Sequence, residues 1–329
     1  PGPACYDQGG TEPTNTDANL VLGRLGTQLA GGAMNLNAEL AEKAVNETIA
    51  GPLDLETAEA AESILKVANA NMADAVRLVS IRRGLDPRDF ALIAFGGAGA
   101  LHGAEVAREL GIPPVVVPPN PGVTSAMVFL LVDVQHDLAT MYTTSTDDAD
   151  RDHLEHEFAA LEDEATERLR HEGVAEEDRE LRRGISMRYA GQWRSLQVPI
   201  GSGPDALDSA VARFHEEHER QFSFRNDETP VEIYQLHLKA VGKTPKPAFT
   251  PTPDAGEKTP EPTGTRQVHF RRDWHETPVY DRDALGPGME IAGPAIINQL
   301  DSTTVVPPET RAEIDEWLNI RIHLTGDDQ

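Results

Sequence analysis

The stretch 90-FALIAFGGAGALHGAEVARELGIPPVVVPP-119 decides the fold class of this chain. Phe90 to Phe95 is a short apolar run, and Gly96-Gly97-Ala98-Gly99 follows with almost no side chain. A segment with apolar residues at helical spacing then runs to Gly111, before a second apolar run at Val115–Val117. Two such runs joined by a helix predict a βαβ unit with parallel strands buried on both faces. Glycines at the strand-to-helix junction let backbone N–H groups approach a ligand, and the helix start adds its positive dipole end. The loop is therefore a candidate receiver for a phosphate or for the ribose end of a nucleotide. Tight packing of helix on strand calls for the same glycines. The spacing is not the dinucleotide-binding fingerprint, because the third spaced glycine is missing and no acidic residue follows the second strand at the expected distance. His102, in the first turn of the helix, is either a contact for a nucleotide or reacting group or a hydrogen-bonded structural residue.

Upstream, residues 56–83 place Ala60, Ile64, Val67, Ala68, Met72, Ala75, Val76 and Val79 at steps of three and four, which predicts a long amphipathic helix with those residues facing the core. Gly84 stands where a terminating glycine belongs. At the start, PGPACYDQGGTEPTNTDANLVLGRL (1–25) carries a glycine turn at Gly9-Gly10 and a run of side-chain oxygens, with Asp7, Thr11, Thr16 and Asp17 as candidates for a polar site loop. Asp17 alternatively caps a helix over Ala18–Leu25.

Downstream, Pro121–Ser125 leads into an apolar helix, Ala126 to Asp133, expected to be buried, and the first domain is expected to span 1–140. Residues 141–153 read as a linker. The second domain is expected over 154–325: a charged helix at 154–174, strands at 185–200 and 231–242 around a helix at 205–221, and a terminal series of short strands forming a small β module. Residues 243–264, rich in Pro, Thr and Lys, read as a flexible connection. His215 and His218 are spaced i, i+3 on a charged helix, which suits a solvated face better than a metal site.

The chain has 329 residues and a formal net charge of −26, with 55 acidic against 29 basic residues. Such a surface repels phosphate backbones and argues against nucleic-acid binding. The acidity is spread along the chain, as suits either a salt-adapted surface or an ordinary acidic cytosolic protein. The single cysteine, Cys5, excludes an internal disulfide and any Cys-based zinc cluster, and with no partner His in its motif it reads as a small buried residue. No apolar run has the length of a membrane span and no signal-peptide pattern opens the sequence, so a soluble cytoplasmic protein without membrane partners is expected.

Six stretches, in order, carry a resemblance: PGPACYDQGGTEPTNTDANLVLGRL (1–25), AFGGAGALHGAEVARELGI (94–112), VVPPNPGVTSAM (116–127), RYAGQ (188–192), TPVEIYQLHLKAVG (229–242) and GPAIINQLDSTTVVPP (293–308). Together they resemble the A subunit of the ATP-dependent hydantoinase, 5-oxoprolinase and acetone carboxylase family. The resemblance implies an α/β fold: the end of an actin-like lobe, of the sugar-kinase and Hsp70 type, followed by an α+β C-terminal domain. It implies ATP with Mg²⁺, with Gly96, Gly97, Gly99 and His102 on the adenosine side and Asp7, Thr11, Thr16 and Asp17 near substrate or metal. It also implies a B-type partner subunit and two phosphate loops upstream of PGPACY. Those loops are not in this sequence, so the chain is expected to act as the C-terminal half of a family member, alongside an N-terminal half that carries them. Ser195 and Val128 depart from the residues usual in relatives. The implied reaction is phosphorylation of a carbonyl oxygen, which opens a cyclic amide such as a hydantoin or 5-oxoproline. A non-catalytic assembly half or split-gene remnant, and a ketone carboxylase subunit, are the alternatives.

Overall fold

A computed structural model describes residues 2–253 and 259–324. The chain divides into two compact units, Pro1–Val128 with Ala248–Gln329, and Phe129–Pro247. The fold is α/β, as expected, and the two compact units are interleaved in sequence.

In the first unit the expected βαβ element is present: strand Leu92–Ile93, helix Gly99–Leu110 and strand Pro114–Val117, with the two strands parallel. The helix lies so close to the strands that a Cβ on Gly103 would stand 2.9 Å from Ala94 Cβ and 3.2 Å from Val115 Cγ1, so only glycine fits there without a shift. The expectation of a parallel sheet buried on both faces is corrected. Only this one pair in the sheet is parallel, and the other edge of Pro114–Val117 is taken, antiparallel, by Ile320–Leu324. Thr310–Ile314 and Glu290–Ala292 complete five strands. A second sheet orders Thr303–Val306, Ala295–Asn298, Asp273–Asp281 and Gly264–Phe270. The terminal strands therefore belong to the first unit, and they do so because Val115 and Val117, fully buried, meet Ile320 and Ile322 in one core.

The long helix runs Thr57–Val79, followed by a tight turn closed by Gly84 at φ 77°. Its buried face differs from the expected one. Ala60, Ala61, Leu65, Asn69 and Ala73 are buried, while Val67 is 63% exposed and Met72 and Val79 face solvent. Apolar side chains occur on more than one face of this helix, and the polar Asn69 is buried because its Oδ1 lies 2.8 Å from His102 Nδ1 on the neighbouring helix. The apolar helix expected over 126–133 is also corrected: the helical segment is Thr124–Val128, and Val128 through Val132 are exposed.

The second unit is an antiparallel sheet in the order Val134–Ser145, Val231–Gly242, Arg179–Tyr189, Leu196–Pro199. Helices Arg151–His171 and Ala206–Phe222 bury Phe158, Leu169 and Phe214 in the same core as Ile185 and Leu236 of the sheet. Residues 141–145, expected in a linker, complete the first of these strands. Arg183 ties sheet to helix, with its guanidinium 2.7 Å from both Glu155 and Glu162 and 4.8 Å over the Phe158 ring. Of the histidines expected on a solvated face, His218 is buried and His215 is half-buried. His215 Nδ1 lies 2.7 Å from the Tyr189 hydroxyl, and His218 Nδ1 lies 2.7 Å from the Phe224 carbonyl oxygen. Of the expected 243–264 connection, residues 254–258 lie outside the described residues.

Candidate functional site

In the first unit the glycine loop opens onto a groove of about 1010 Å³, lined by Gly97 and Ala98 on one side, by the loop from Gly26 to Gly32 on another, and by Leu300–Ser302. Gly96 turns the chain with φ 83°, a conformation that glycine adopts without strain, and donates its N–H to Pro121 O at 2.7 Å. A Cβ on Gly96 would meet nothing within 4 Å, and one on Gly97 would meet only Asp301 O at 3.6 Å. The loop therefore leaves room at the start of helix Gly99–Leu110. No side chain caps that helix, so its first N–H groups and dipole remain available to an anion. Asp301 shapes the adjoining loop: its Oδ2 accepts the Gly122 N–H at 2.7 Å, and its Oδ1 is buried without a partner. On the opposite wall Arg266 donates to Gly23 O at 3.3 Å, and burial lowers its pKa.

Of the candidates read from sequence, Gly97 and Thr16 line this groove together. Gly96 forms the turn beside it, and Gly99 lies against the strand end, where a Cβ would stand 3.5 Å from Ala94 C. His102 is buried and faces the long helix. Burial, and then the charge of Arg24, hold its pKa below the ordinary imidazole value, so it is neutral at physiological pH. Asp7 is exposed with φ 55° and closes the turn Ala4–Tyr6 through its N–H. Thr11 is exposed, and neither residue is among those lining the groove.

Asp17 is fully buried, and all its partners are local. Its carboxylate accepts N–H groups from Cys5 at 2.7 Å, Thr14 at 2.8 Å and Ala4 at 3.2 Å, and the Thr14 hydroxyl at 2.7 Å. The helix it serves is Asn15–Val21, with Thr14 as N-cap and Asp17 as the reciprocal third residue of a capping box. Desolvation acts to raise the Asp17 pKa, but the bonds from Cys5 and Thr14 outweigh it and hold the carboxyl below its ordinary value.

Cys5, beneath the same carboxylate, is completely buried, and its thiol is pushed up to about 12 by burial first and then by the hydrogen bond and charge of Asp17. It is expected to be inert to a thiol reagent such as DTNB in the native protein and to react at once in urea. Rapid labelling under native conditions would contradict its burial.

Sequence reasoning missed the contribution of Asp301, Ser302 and the Gly26–Gly32 loop. The stretch 293–308 carries a motif in sequence, but only folding brings it beside Gly97. A second groove, of about 1000 Å³ and lined by Arg24, Glu62, His269 and Trp274, contains none of the loop glycines. Among the described residues no group of three or more His, Cys, Asp or Glu side chains is placed to hold a metal ion, and no helix is long and apolar enough to cross a membrane.

The chain is α/β with a glycine loop at an uncapped helix start, and comparison with known proteins gives its family. Residues 1–138 match the hydantoinase/oxoprolinase family and residues 143–325 match the hydantoinase/oxoprolinase C-terminal domain, so the chain belongs to this family. It is 38% identical to an uncharacterised protein of Methanocaldococcus jannaschii, over 98% of this chain and 46% of that protein. It is 35% identical to the caprolactamase subunit alpha of Pseudomonas jessenii, over 96% of this chain and 47% of that subunit. The crystal structure of the ATP-dependent caprolactamase from that organism aligns at a TM-score of 0.79 and 33% identity, covering 99% of this chain and 49% of the other. Identity to the acetophenone carboxylase gamma subunit of Aromatoleum aromaticum is 36%, over 96% of this chain and 45% of that subunit. The chain thus spans about half the length of these relatives.

Proposed function

We propose that this chain supplies the adenosine side of a nucleotide site in an ATP-dependent enzyme that opens a cyclic amide of the hydantoin or 5-oxoproline type. The observation that carries the reading is the groove at Gly96-Gly97-Ala98-Gly99, open where a Cβ would stand and facing an uncapped helix start, in a chain of this family. These residues suit an adenosine with its first phosphate: Gly97 and Ala98 offer close backbone approach, the helix N–H groups offer donors, and Thr16 offers a hydroxyl from the facing wall. ATP, when bound, supplies a phosphoryl group that converts an amide carbonyl oxygen into a leaving group. The work left to the protein is positioning and charge neutralisation. In this chain the loop dipoles do that locally, against a net charge of −26. Mg²⁺ is bound through one or two carboxylates together with phosphate oxygens. We assign its carboxylates and the remaining phosphate contacts to an N-terminal half bearing the phosphate loops, and the later steps to a B-type subunit, in the cytoplasm.

The test is reconstitution. The chain alone is expected to hydrolyse no ATP above background, and to turn over hydantoin, 5-oxoproline or caprolactam with ATP only when an N-terminal half and a B-type subunit are added. ATP turnover by the purified, chaperone-free chain alone would overturn the half-site reading. One observation favours a second reading, a ketone carboxylase subunit: the 36% identity to the acetophenone carboxylase gamma subunit matches the identity to caprolactamase. ATP hydrolysis that requires a ketone and bicarbonate would select it.

Salt adaptation is the accompanying proposal. Acidic residues crowd exposed surfaces such as helix Arg151–His171, where pairs like Glu164–Arg168 offset only part of the charge. The Debye length falls from roughly 30 Å at 0.01 M salt to about 3 Å at 1 M, so screening relieves distributed repulsion. The urea midpoint is expected to rise with KCl beyond any rise produced by an uncharged osmolyte. A flat or falling midpoint would leave an ordinary acidic protein.

A further inference from the structure

We propose that the groove lined by Arg24, Glu62, His269 and Trp274 is a binding site for an amino acid of the glutamate type, with one carboxylate on Arg24 and the ammonium between Glu59 and Glu62. The choice of ligand rests on the ring-opening reading, because hydrolysis of a lactam such as 5-oxoproline turns the ring carbonyl into a carboxylate and frees the ring nitrogen as an amine. The site itself rests on two buried polar side chains that the fold leaves without hydrogen-bond partners.

Arg24 lines the groove and is only 7% exposed, yet its guanidinium makes no hydrogen bond and no ion pair among the described residues, and its Nε is sealed from solvent by this chain's own residues. The guanidinium carbon lies 5.5 Å over the Phe270 ring. The carboxylates whose charge acts on Arg24 are engaged elsewhere: Glu105 holds Arg108 at 2.7 Å, and Glu62 Oε1 stands 3.1 Å from His269 Nδ1. His269 is itself 5% exposed, and its Nδ1 has no partner in hydrogen-bond geometry. A cation buried without a counter-charge is costly, so a fold that keeps one facing a cavity is complementary to an anion supplied from outside it.

The charges around the groove choose among anions. Five carboxylates and five arginine or lysine side chains line it, so in a chain of net charge −26 this groove is balanced, which disfavours a polyphosphate and suits a molecule bearing both signs. Glu59 and Glu62 stand one turn apart at the start of helix Thr57–Val79, and Glu59 makes no ion pair among the described residues, which leaves it to an ammonium. Arg272 also lines the groove without an ion pair among the described residues, and suits a second carboxylate. Trp274, 51% exposed and edge-on to His269 at 5.1 Å, and Phe270 offer apolar wall to the methylenes between the charged ends.

The experiment titrates L-glutamate calorimetrically into this chain with no nucleotide present. Saturable binding is expected, with glutarate, which lacks the ammonium, and 5-oxoproline, whose ring is uncut, each weaker by at least about tenfold. Arg24→Lys keeps the charge and loses the planar fork, and Trp274→Ala removes the exposed wall; each is expected to weaken glutamate binding by at least about fivefold, whereas Trp317→Ala, exposed elsewhere, leaves it unchanged. Should Arg24→Lys fold poorly, Trp274→Ala still decides. No binding of glutamate, binding of glutarate or inorganic phosphate as tight as that of glutamate, affinity indifferent to both variants, or binding lost when an N-terminal half is added would each overturn the proposal. Because no readout involves ATP or turnover, glutamate bound at this groove in a reconstituted complex that opens no lactam would overturn the ring-opening reading and leave the site standing.

Discussion

Asp17→Ala is expected to destabilise the protein by about 3–5 kcal/mol, measured as the shift in urea unfolding, because a buried carboxylate that satisfies several donors cannot be removed without stranding them. The Cys5, Thr14 and Ala4 N–H groups and the Thr14 hydroxyl all converge on this one side chain, which has no exposure to solvent. Water entering the gap would recover part of the loss, which is why the expected value is below the sum of four separate bonds. Asp17→Asn keeps the volume but loses the charge and one acceptor, and should cost about half as much. A loss under about 1 kcal/mol for the alanine variant would show that the capping box is dispensable, and would return Asp17 to candidacy for a role at the groove. The pH dependence follows from the same contacts. The folded carboxyl is held below its ordinary pKa, so its contribution is complete above the unfolded value and disappears as pH falls through the folded one. His102 acts in the same direction: its folded pKa is lowered, so below the ordinary imidazole value the unfolded chain takes up a proton that the folded chain resists. Stability should therefore fall in two stages on acidification, and His102→Asn should lessen the stage nearer neutrality, to which His215 and His237, also held low by burial, contribute.

Gly97→Val is expected to weaken nucleotide binding by at least about tenfold, or ~1.4 kcal/mol, in the complex formed with an N-terminal half, with little change in the unfolding midpoint. A Cβ at this position meets only Asp301 O at 3.6 Å, so the fold accommodates it, and the two branches of valine then occupy the space through which a ligand would approach the backbone. Gly103→Val is the contrasting change. Its Cβ would stand 2.9 Å from Ala94 Cβ, so it should destabilise the fold by about 1–3 kcal/mol through overpacking. Calorimetric titration with ATP and urea unfolding on both variants separates the two kinds of glycine. Unchanged affinity for Gly97→Val with intact folding would assign the whole loop to packing.

These contrasts mark how far the sequence could be read. The βαβ element and its glycine junction were legible because their signals are local: two apolar runs, a helical period, and glycines between them. The extent of the long helix was legible for the same reason, but its buried face was not. With alanines and β-branched residues on several faces, only the Asn69–His102 bond and the neighbouring helix decide that Asn69 goes in and Val67 stays out. The terminal strands were recognised as strands, but not their packing onto the glycine-loop unit, since pairing between Ile320–Leu324 and Pro114–Val117 leaves no trace in either segment alone. At the groove, Gly97 and Thr16 were within reach of sequence reasoning, whereas Asp301 was not. Its relation to Gly122 is a single hydrogen bond across the fold.

The interleaving of the two units bears on the order in which a ribosome could let this protein mature. Every strand and helix of the Phe129–Pro247 unit has been made while the Ala248–Gln329 portion of the other unit is still unsynthesised. During that interval Pro114–Val117, whose Val115 and Val117 end fully buried, has no Ile320–Leu324 to pair with, because that partner follows the whole of the Phe129–Pro247 unit in the chain. The Phe129–Pro247 unit is thus free to fold before the glycine-loop unit, whose sheet closes only once Ile320–Leu324 has been made.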